Sequence, residues 1–284
     1  MQCRAYPGIC SKGHERVCTW NNAAVWEGQA LRGNPEGYQE FEAMNTALIL
    51  SGGVGSRLGG DMPKQYIEVG GRILLSYCLE RLSRHPLVDA VQIVAQEEWQ
   101  GTIRSCLKRY DINKKFRGFS NPGENRQLSI YNGLRDILTY AAGTDDTVLV
   151  HDGARPCLPG ALITECVNAL ERHDGVIPVL PMKDTVYVSS DGKHVSSLLN
   201  RGEIFAGQAP ELFVLGKYYE ANERLLPHRI FQINGSTEAA VLGGMDIVMI
   251  PGDEGNYKIT TRADLERFRE FISQKEDTMG EISK

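Results

Sequence analysis

The chain has 284 residues, 42% of them hydrophobic, and a formal net charge of −5. That apolar content suffices for one large domain with a sizeable core, while the acidic balance excludes a general nucleic-acid binder, so local cations must hold any anionic substrate. The chain has no apolar run of about 18 residues, so no transmembrane helix is expected, and Cys78, Cys106, Cys157 and Cys166, set in apolar-patterned segments, read as reduced thiols of a cytoplasmic protein.

Residues 1–43 fit nothing that follows. They lack an apolar core of signal-peptide length. Cys3, Cys10, His14 and Cys18 match no usual zinc-finger spacing. The segment reads as a disordered or loosely docked extension. Met44 stands where a start residue would, and the folded domain is expected over 44–284.

The run Ala47-Leu48-Ile49-Leu50 is too short for most helices and suits a buried strand. Ser51, Gly52, Gly53 and Gly55 follow, then Arg57 and Lys64. Exposed backbone N–H groups with fixed cations suit a polyphosphate. A dinucleotide GxGxxG fingerprint fails because Leu58 occupies the third glycine's place. A Walker loop fails because Asp61-Met62 follows Gly60.

Farther on, Ile73 to His85 and Glu97 to Tyr110 read as helices around a strand at Val91–Ala95. Such alternation implies an α/β fold with a parallel sheet covered on both sides. Ligands then sit beyond the carboxyl ends of the strands. Asn121 to Ser129 is a loop running into a helix over Arg126–Tyr140. Thr147 to His151 is a strand delivering Asp152, with Arg155 three residues on. A carboxylate there suits Mg²⁺, and the arginine suits a phosphate. His151 reads as structural, because a phosphate nucleophile is already anionic and needs no general base. After a strand at Val176–Leu180, Val186-Tyr187-Val188 and Val195 to Leu199 flank the turn Ser190-Asp191-Gly192-Lys193, giving a hairpin. An isolated hairpin is marginal in water, so this one should find a partner surface. Ile247–Ile250 is a last strand and Arg262–Gln274 an amphipathic helix.

SGGVGSRLGGDMPKQY resembles the nucleotidyltransferases, and its PKQY is similar to the 2-C-methyl-D-erythritol 4-phosphate and ribitol-5-phosphate cytidylyltransferases. HDGARPC, Lys183-Asp184-Thr185, Asn200-Arg201, Gly207 to Phe213 and Asn256 to Thr260 extend the likeness from about Asn45 to about Ile272. The resemblance implies a Rossmann-like, mostly parallel twisted sheet. It also implies a protruding arm, about 185–208, that clasps a second subunit to make a homodimer.

The implied reaction joins CTP to an alditol phosphate with Mg²⁺ present. Arg57, Lys64, Arg201 and Lys258 are then the catalytic cations. Ser51, Gly52, Gly53 and Gly55 hold the triphosphate, and Gly123, Glu124, Arg126 and Ser129 lie at the cytosine. Asp152 holds metal, while Arg155, Thr185, Arg201 and Lys258 place the acceptor. HDGARPC favours methylerythritol phosphate as acceptor, and Ser-Gly-Gly with Asn-Arg leans toward ribitol phosphate. A hexose-1-phosphate enzyme usually spaces the arginine and Pro-Lys more widely, and a nucleotide sensor without turnover would not need all four of Arg57, Lys64, Asp152 and Lys258. Ala209 replaces the Thr of a Gln-Thr-Pro-Gln-x-Phe block, and Thr237 stands where Thr-Asp-Glu-Ala has its Asp.

Overall fold

In the computed structural model of the chain, residues 43–53, 62–141, 143 and 145–282 are described, with side chains to 275. Residues 1–42, Gly55 and Arg57 lie outside that set.

The backbone begins with β1 (Asn45–Leu50), a two-strand ribbon of β2 (Glu68–Val69) and β3 (Arg72–Ile73), α1 (Leu74–Arg84), β4 (Ala90–Val94), α2 (Glu97–Tyr110), β5 (Phe116–Ser120), α3 (Arg126–Ile137) and β6 (Thr147–Asp152). The second half runs α4 (Gly160–Ala169), β7 (Gly175–Pro181), β8 (Tyr187–Val188), β9 (Ser197–Leu198), β10 (Phe205–Gly207), β11 (Glu211–Val214), α5 (Leu215–Glu223), α6 (Ser236–Leu242), β12 (Ile247–Pro251) and α7 (Arg262–Ile282).

The expected alternation is present, and its parallel part is centred on β1. That strand pairs in parallel with β4 on one side and β6 on the other, and β5 continues beyond β4. The other half of the sheet is mixed. β11 runs antiparallel between β6 and β7, β10 pairs antiparallel with β7, and β12 pairs with β7 in parallel. Leu48 and Ile49 of β1, with no exposed surface, point into different cores as strand alternation demands. Ile49 packs with Leu75, Leu79, Ile93 and Ile163, and Leu48 with Ile130, Leu134, Phe213 and Tyr218. Helices α1 and α4 therefore cover one face, and α3 and α5 the other.

A smaller cluster seats α7, with Phe268 and Leu265 against Val69, Leu74 and Ile259. The helix opens on a capping box. Asp264 N donates to the Thr261 hydroxyl, and Asp264 Oδ2 accepts from the backbone N–H of Thr261.

The hairpin forms as expected, but with two paired residues per strand. Asp191 Oδ1 accepts from the backbone N–H of Lys193 and His194 and so holds the turn. The hairpin is a sheet of its own, and its apolar side chains lie open, Tyr187 57% exposed and Leu198 62%.

Candidate active site

The carboxyl ends of β1, β4, β5 and β6 surround a cavity of about 510 Å³. It opens where the chain leaves β1 with one parallel neighbour on either side, the switch point at which open α/β sheets bind ligands. Each strand supplies part of the wall: Leu50, Gly52 and Gly53 after β1, Val94 and Gln96 after β4, Pro122 to Arg126 after β5, and Asp152 and Ala154 after β6. Lys64, Gln65, Ser129 and Lys258 complete it.

Two glycines are fixed by close approach. A Cβ on Gly52 would stand 2.6 Å from Pro122 Cβ, so the loops after β1 and β5 touch through it. A Cβ on Gly123 would stand 2.8 Å from the backbone of Leu128. Asn125 caps α3 by accepting from Leu128 N at 2.7 Å, and the Ser129 hydroxyl accepts from Gly123 N at 2.9 Å. The base-side loop is thereby folded onto the first turn of its helix.

The loop after β1 has its own support. Gln65 Nε2 donates to the carbonyls of Ser51 and Gly53, both at 2.8 Å. Ser51 itself is buried and turned to the Tyr66 hydroxyl, away from the cavity. Sequence reading passed over Gln65 and Gln96. The signal for Gln65 is its place inside PKQY, next to Lys64.

Asp152 is the electrostatic centre. Its carboxylate lies 3.0 Å from Lys258 Nζ, 3.3 Å from Arg126 and 3.4 Å from Arg155. Burial by itself would raise its pKa, but Arg126, Lys258 and Arg155 outweigh that and hold the carboxyl far below the usual range. His151, wholly buried, is pushed down to about 4 by burial and stays neutral. Arg155 Nη1 donates to the carbonyl of Asn256 at 2.7 Å, and Ile259 N donates to that of Ala154 at 2.9 Å. These bonds press the strip carrying Lys258 against the end of β6.

Among the described residues no group of three His, Cys, Asp or Glu gathers, so none of them forms a metal cage. Asp152 offers one ionised carboxylate at the cavity wall. That donor set fits a hard divalent ion carried in by a polyphosphate, since Mg²⁺ takes one or two protein carboxylates and fills the remainder with phosphate and water.

The position left open at Thr237 has a definite partner. Its hydroxyl donates to Glu211 Oε2 at 2.8 Å. Glu211 occupies the second Gln of the Gln-Thr-Pro-Gln pattern, so a carboxylate stands across that contact from Thr237. Ala209 is buried beside it, and its carbonyl accepts from Asn256 Nδ2 at 2.7 Å. Thr185 and Arg201 are exposed and do not line the cavity, and Arg201 Nη1 donates to the carbonyl of Lys183 at 3.0 Å.

A family model described as 2-C-methyl-D-erythritol 4-phosphate cytidylyltransferase matches residues 45–274. The chain belongs to that family. It is 34% identical to the 2-C-methyl-D-erythritol 4-phosphate cytidylyltransferase of Syntrophotalea carbinolica, over 83% of this chain and 97% of that one. It is also 26% identical to a ribitol-5-phosphate cytidylyltransferase of Lacticaseibacillus paracasei, over 82% of this chain and 100% of the relative. The crystal structure of 4-diphosphocytidyl-2C-methyl-D-erythritol synthase from Anaerococcus prevotii superposes with a TM-score of 0.69 at 26% identity, covering 81% of this chain and 96% of that one. The mostly parallel half of the sheet and its flanking helices are thus the fold of the family. No described helix is long and apolar enough to cross a membrane.

Proposed function

We propose that the chain transfers a cytidylyl group from CTP to 2-C-methyl-D-erythritol 4-phosphate and releases pyrophosphate. The observation that carries this is the cavity at the switch strand, with Lys64, Arg126 and Lys258 along one wall and a backbone-lined glycine loop along another. The acceptor's phosphate oxygen attacks the α-phosphorus of CTP as the bond to pyrophosphate breaks. No proton need leave the nucleophile, which agrees with a His151 that is buried and neutral. Catalysis is then positioning and charge neutralisation.

Each residue has a role in this reading. Gly52 and Gly53 approach the triphosphate through their backbone, and Lys64, with Arg57 and Gly55 of the same loop, meets its charge. Gly123, Glu124, Arg126 and Ser129 frame the base. Asp152 spaces the cations and is the residue that would hold Mg²⁺, which would add positive charge at the triphosphate. Lys258 and Arg155 face the acceptor phosphate. Thr185 and Arg201 come from the arm of a second subunit in a homodimer, which agrees with their distance from their own chain's cavity.

Pyrophosphate release with CTP and either methylerythritol phosphate or ribitol 5-phosphate tests the acceptor. Turnover at least about tenfold faster with the former is expected, a difference one extra or missing group in a pocket can supply. Faster turnover with ribitol 5-phosphate would reassign the acceptor and leave cytidylyl transfer in place.

A further inference from the structure

Glu211 has no part in the transfer as described, yet it is a carboxylate only 8% exposed at the back of the site. Burying an unpaired charge is expensive, so its partners are informative. Oε1 accepts from the Ser236 hydroxyl at 2.6 Å and Oε2 from Thr237 at 2.8 Å. The same Ser236 oxygen accepts from Arg126 Nη1 at 2.7 Å. Arg126 Nη2 lies 4.0 Å from Glu211 and 3.3 Å from Asp152. The guanidinium therefore sits between carboxylates of two adjacent strands, β6 and β11, with a hydroxyl bridging to the farther one. One-third of the Arg126 side chain remains exposed, and that side chain lines the cavity. Asp152 also meets Lys258 and Arg155, so it is shared among three cations, and Glu211 is the second carboxylate on the Arg126 side.

We propose that Glu211 is a positioning residue for cytidylyl transfer: through Ser236 it fixes in one orientation at the nucleotide the Arg126 guanidinium that Asp152 holds from the other side. This rests on the reading that Arg126 contacts the nucleotide. The groups facing Glu211 are Arg126 of α3, Asp152 of β6, Tyr218 of α5, and Ser236 and Thr237 of α6. Burial raises its carboxyl, and Arg126 and the two hydroxyls oppose that without cancelling it. Acid therefore neutralises Glu211 before ordinary carboxylates, and Arg126 then loses one of its two anchors.

The test is Glu211→Gln in the full chain, assayed with CTP and the acceptor across pH. We expect kcat/KM for CTP to fall by about tenfold or more, since misplacement of a contacting group by about 1 Å can lose a hundredfold. The acid-side decline of kcat/KM expected of the parent should flatten, and the thermal midpoint should change little. Glu211→Gln with Thr237→Asp returns a carboxylate across the 2.8 Å contact and should recover most of the loss. If the single variant does not fold, Ser236→Ala removes the bridge and keeps both charges, and a several-fold rise in KM for CTP is expected from it. Unchanged kcat/KM and an unchanged acid limb in the single variant overturn the proposal. So does a loss that the double variant fails to recover. Arg126→Gln is the control: if it is unimpaired, the nucleotide reading fails and the proposal with it, whereas an impaired Arg126→Gln beside an unaffected Glu211→Gln overturns the proposal alone.

Discussion

The Lys64 ammonium donates to the main-chain carbonyl of Ile259 at 2.8 Å, joining positions 195 residues apart. The bond ties the segment after the glycine loop to the strip that carries Lys258, which itself lies 3.0 Å from Asp152. Cations from opposite ends of the domain are thus held on one cavity. Lys64→Ala is expected to lower kcat by about a hundredfold, the usual loss when a fixed donor to transition-state charge is removed, with a smaller change in CTP binding. Steady-state assay at saturating CTP and Mg²⁺ checks this, and turnover near the parent value removes Lys64 from the mechanism.

Asp152→Asn leaves Arg126, Arg155 and Lys258 facing one another across a buried site. Removing the anion from such a cluster should destabilise the fold by about 3 kcal/mol. The variant should also need more Mg²⁺ for half-maximal rate. Denaturant titration and a Mg²⁺ titration read the two effects separately. An unchanged Mg²⁺ requirement would take Asp152 away from the ion.

His151 predicts an acid limb in stability. Its folded pKa of about 4 lies below the 6.5 of an unperturbed imidazole, so the unfolded chain takes up the proton first as pH falls. Stability should therefore be complete above about pH 6.5 and decline toward pH 4, by up to about 3 kcal/mol. Asp152 adds a separate loss below the ordinary carboxylate range, since its folded pKa is lowered. Thermal midpoints of the parent and of His151→Asn between pH 7 and pH 4 test the assignment. The variant's slope should be shallower in that window, and equal slopes would assign the loss to other groups.

Gly52→Ala inserts a methyl 2.6 Å from Pro122 Cβ. One of the two loops must move, at about 1–3 kcal/mol of strain. The expected result is a raised KM for CTP with the acceptor's KM little changed. Equal increases in both would point to a general loosening of the site.

The arm is tested by complementation. Lys64→Ala disables a site from within its own subunit, and Arg201→Ala should disable it from the partner. Each homodimer should be nearly inactive, and mixing should restore activity, because half of the mixed dimers' sites then carry neither lesion. Mixed dimers confirmed by mass that stay inactive would place Arg201 in its own subunit's site.

Local pattern reached the parallel half of this protein easily. Ala47 to Leu50 and Val148 to Val150 are continuous apolar runs because their strands are buried on both faces. The residues at their carboxyl ends, Gly52, Gly53 and Asp152, could therefore be read as site residues from position alone. The strands β5 and β11 left weaker traces. FRGFS carries Arg117 and Gly118 in a half-exposed edge strand, and ELFV opens with a charge. Their places came from pairing with strands already fixed, a long-range contact that no window of sequence contains. The same holds for the site's electrostatics. The sequence determined which cations and carboxylates the chain owns, and their motifs named the family. Only the tertiary structure decided that Asp152 answers three cations, that Ser51 turns from the cavity to Tyr66, and that Glu211 stands behind Arg126. Charges act through space over a few ångströms, and it is the antiparallel pairing of β11 with β6, with α6 bonded to β11 through Ser236, that brings Asp152, Arg126 and Glu211 within that range.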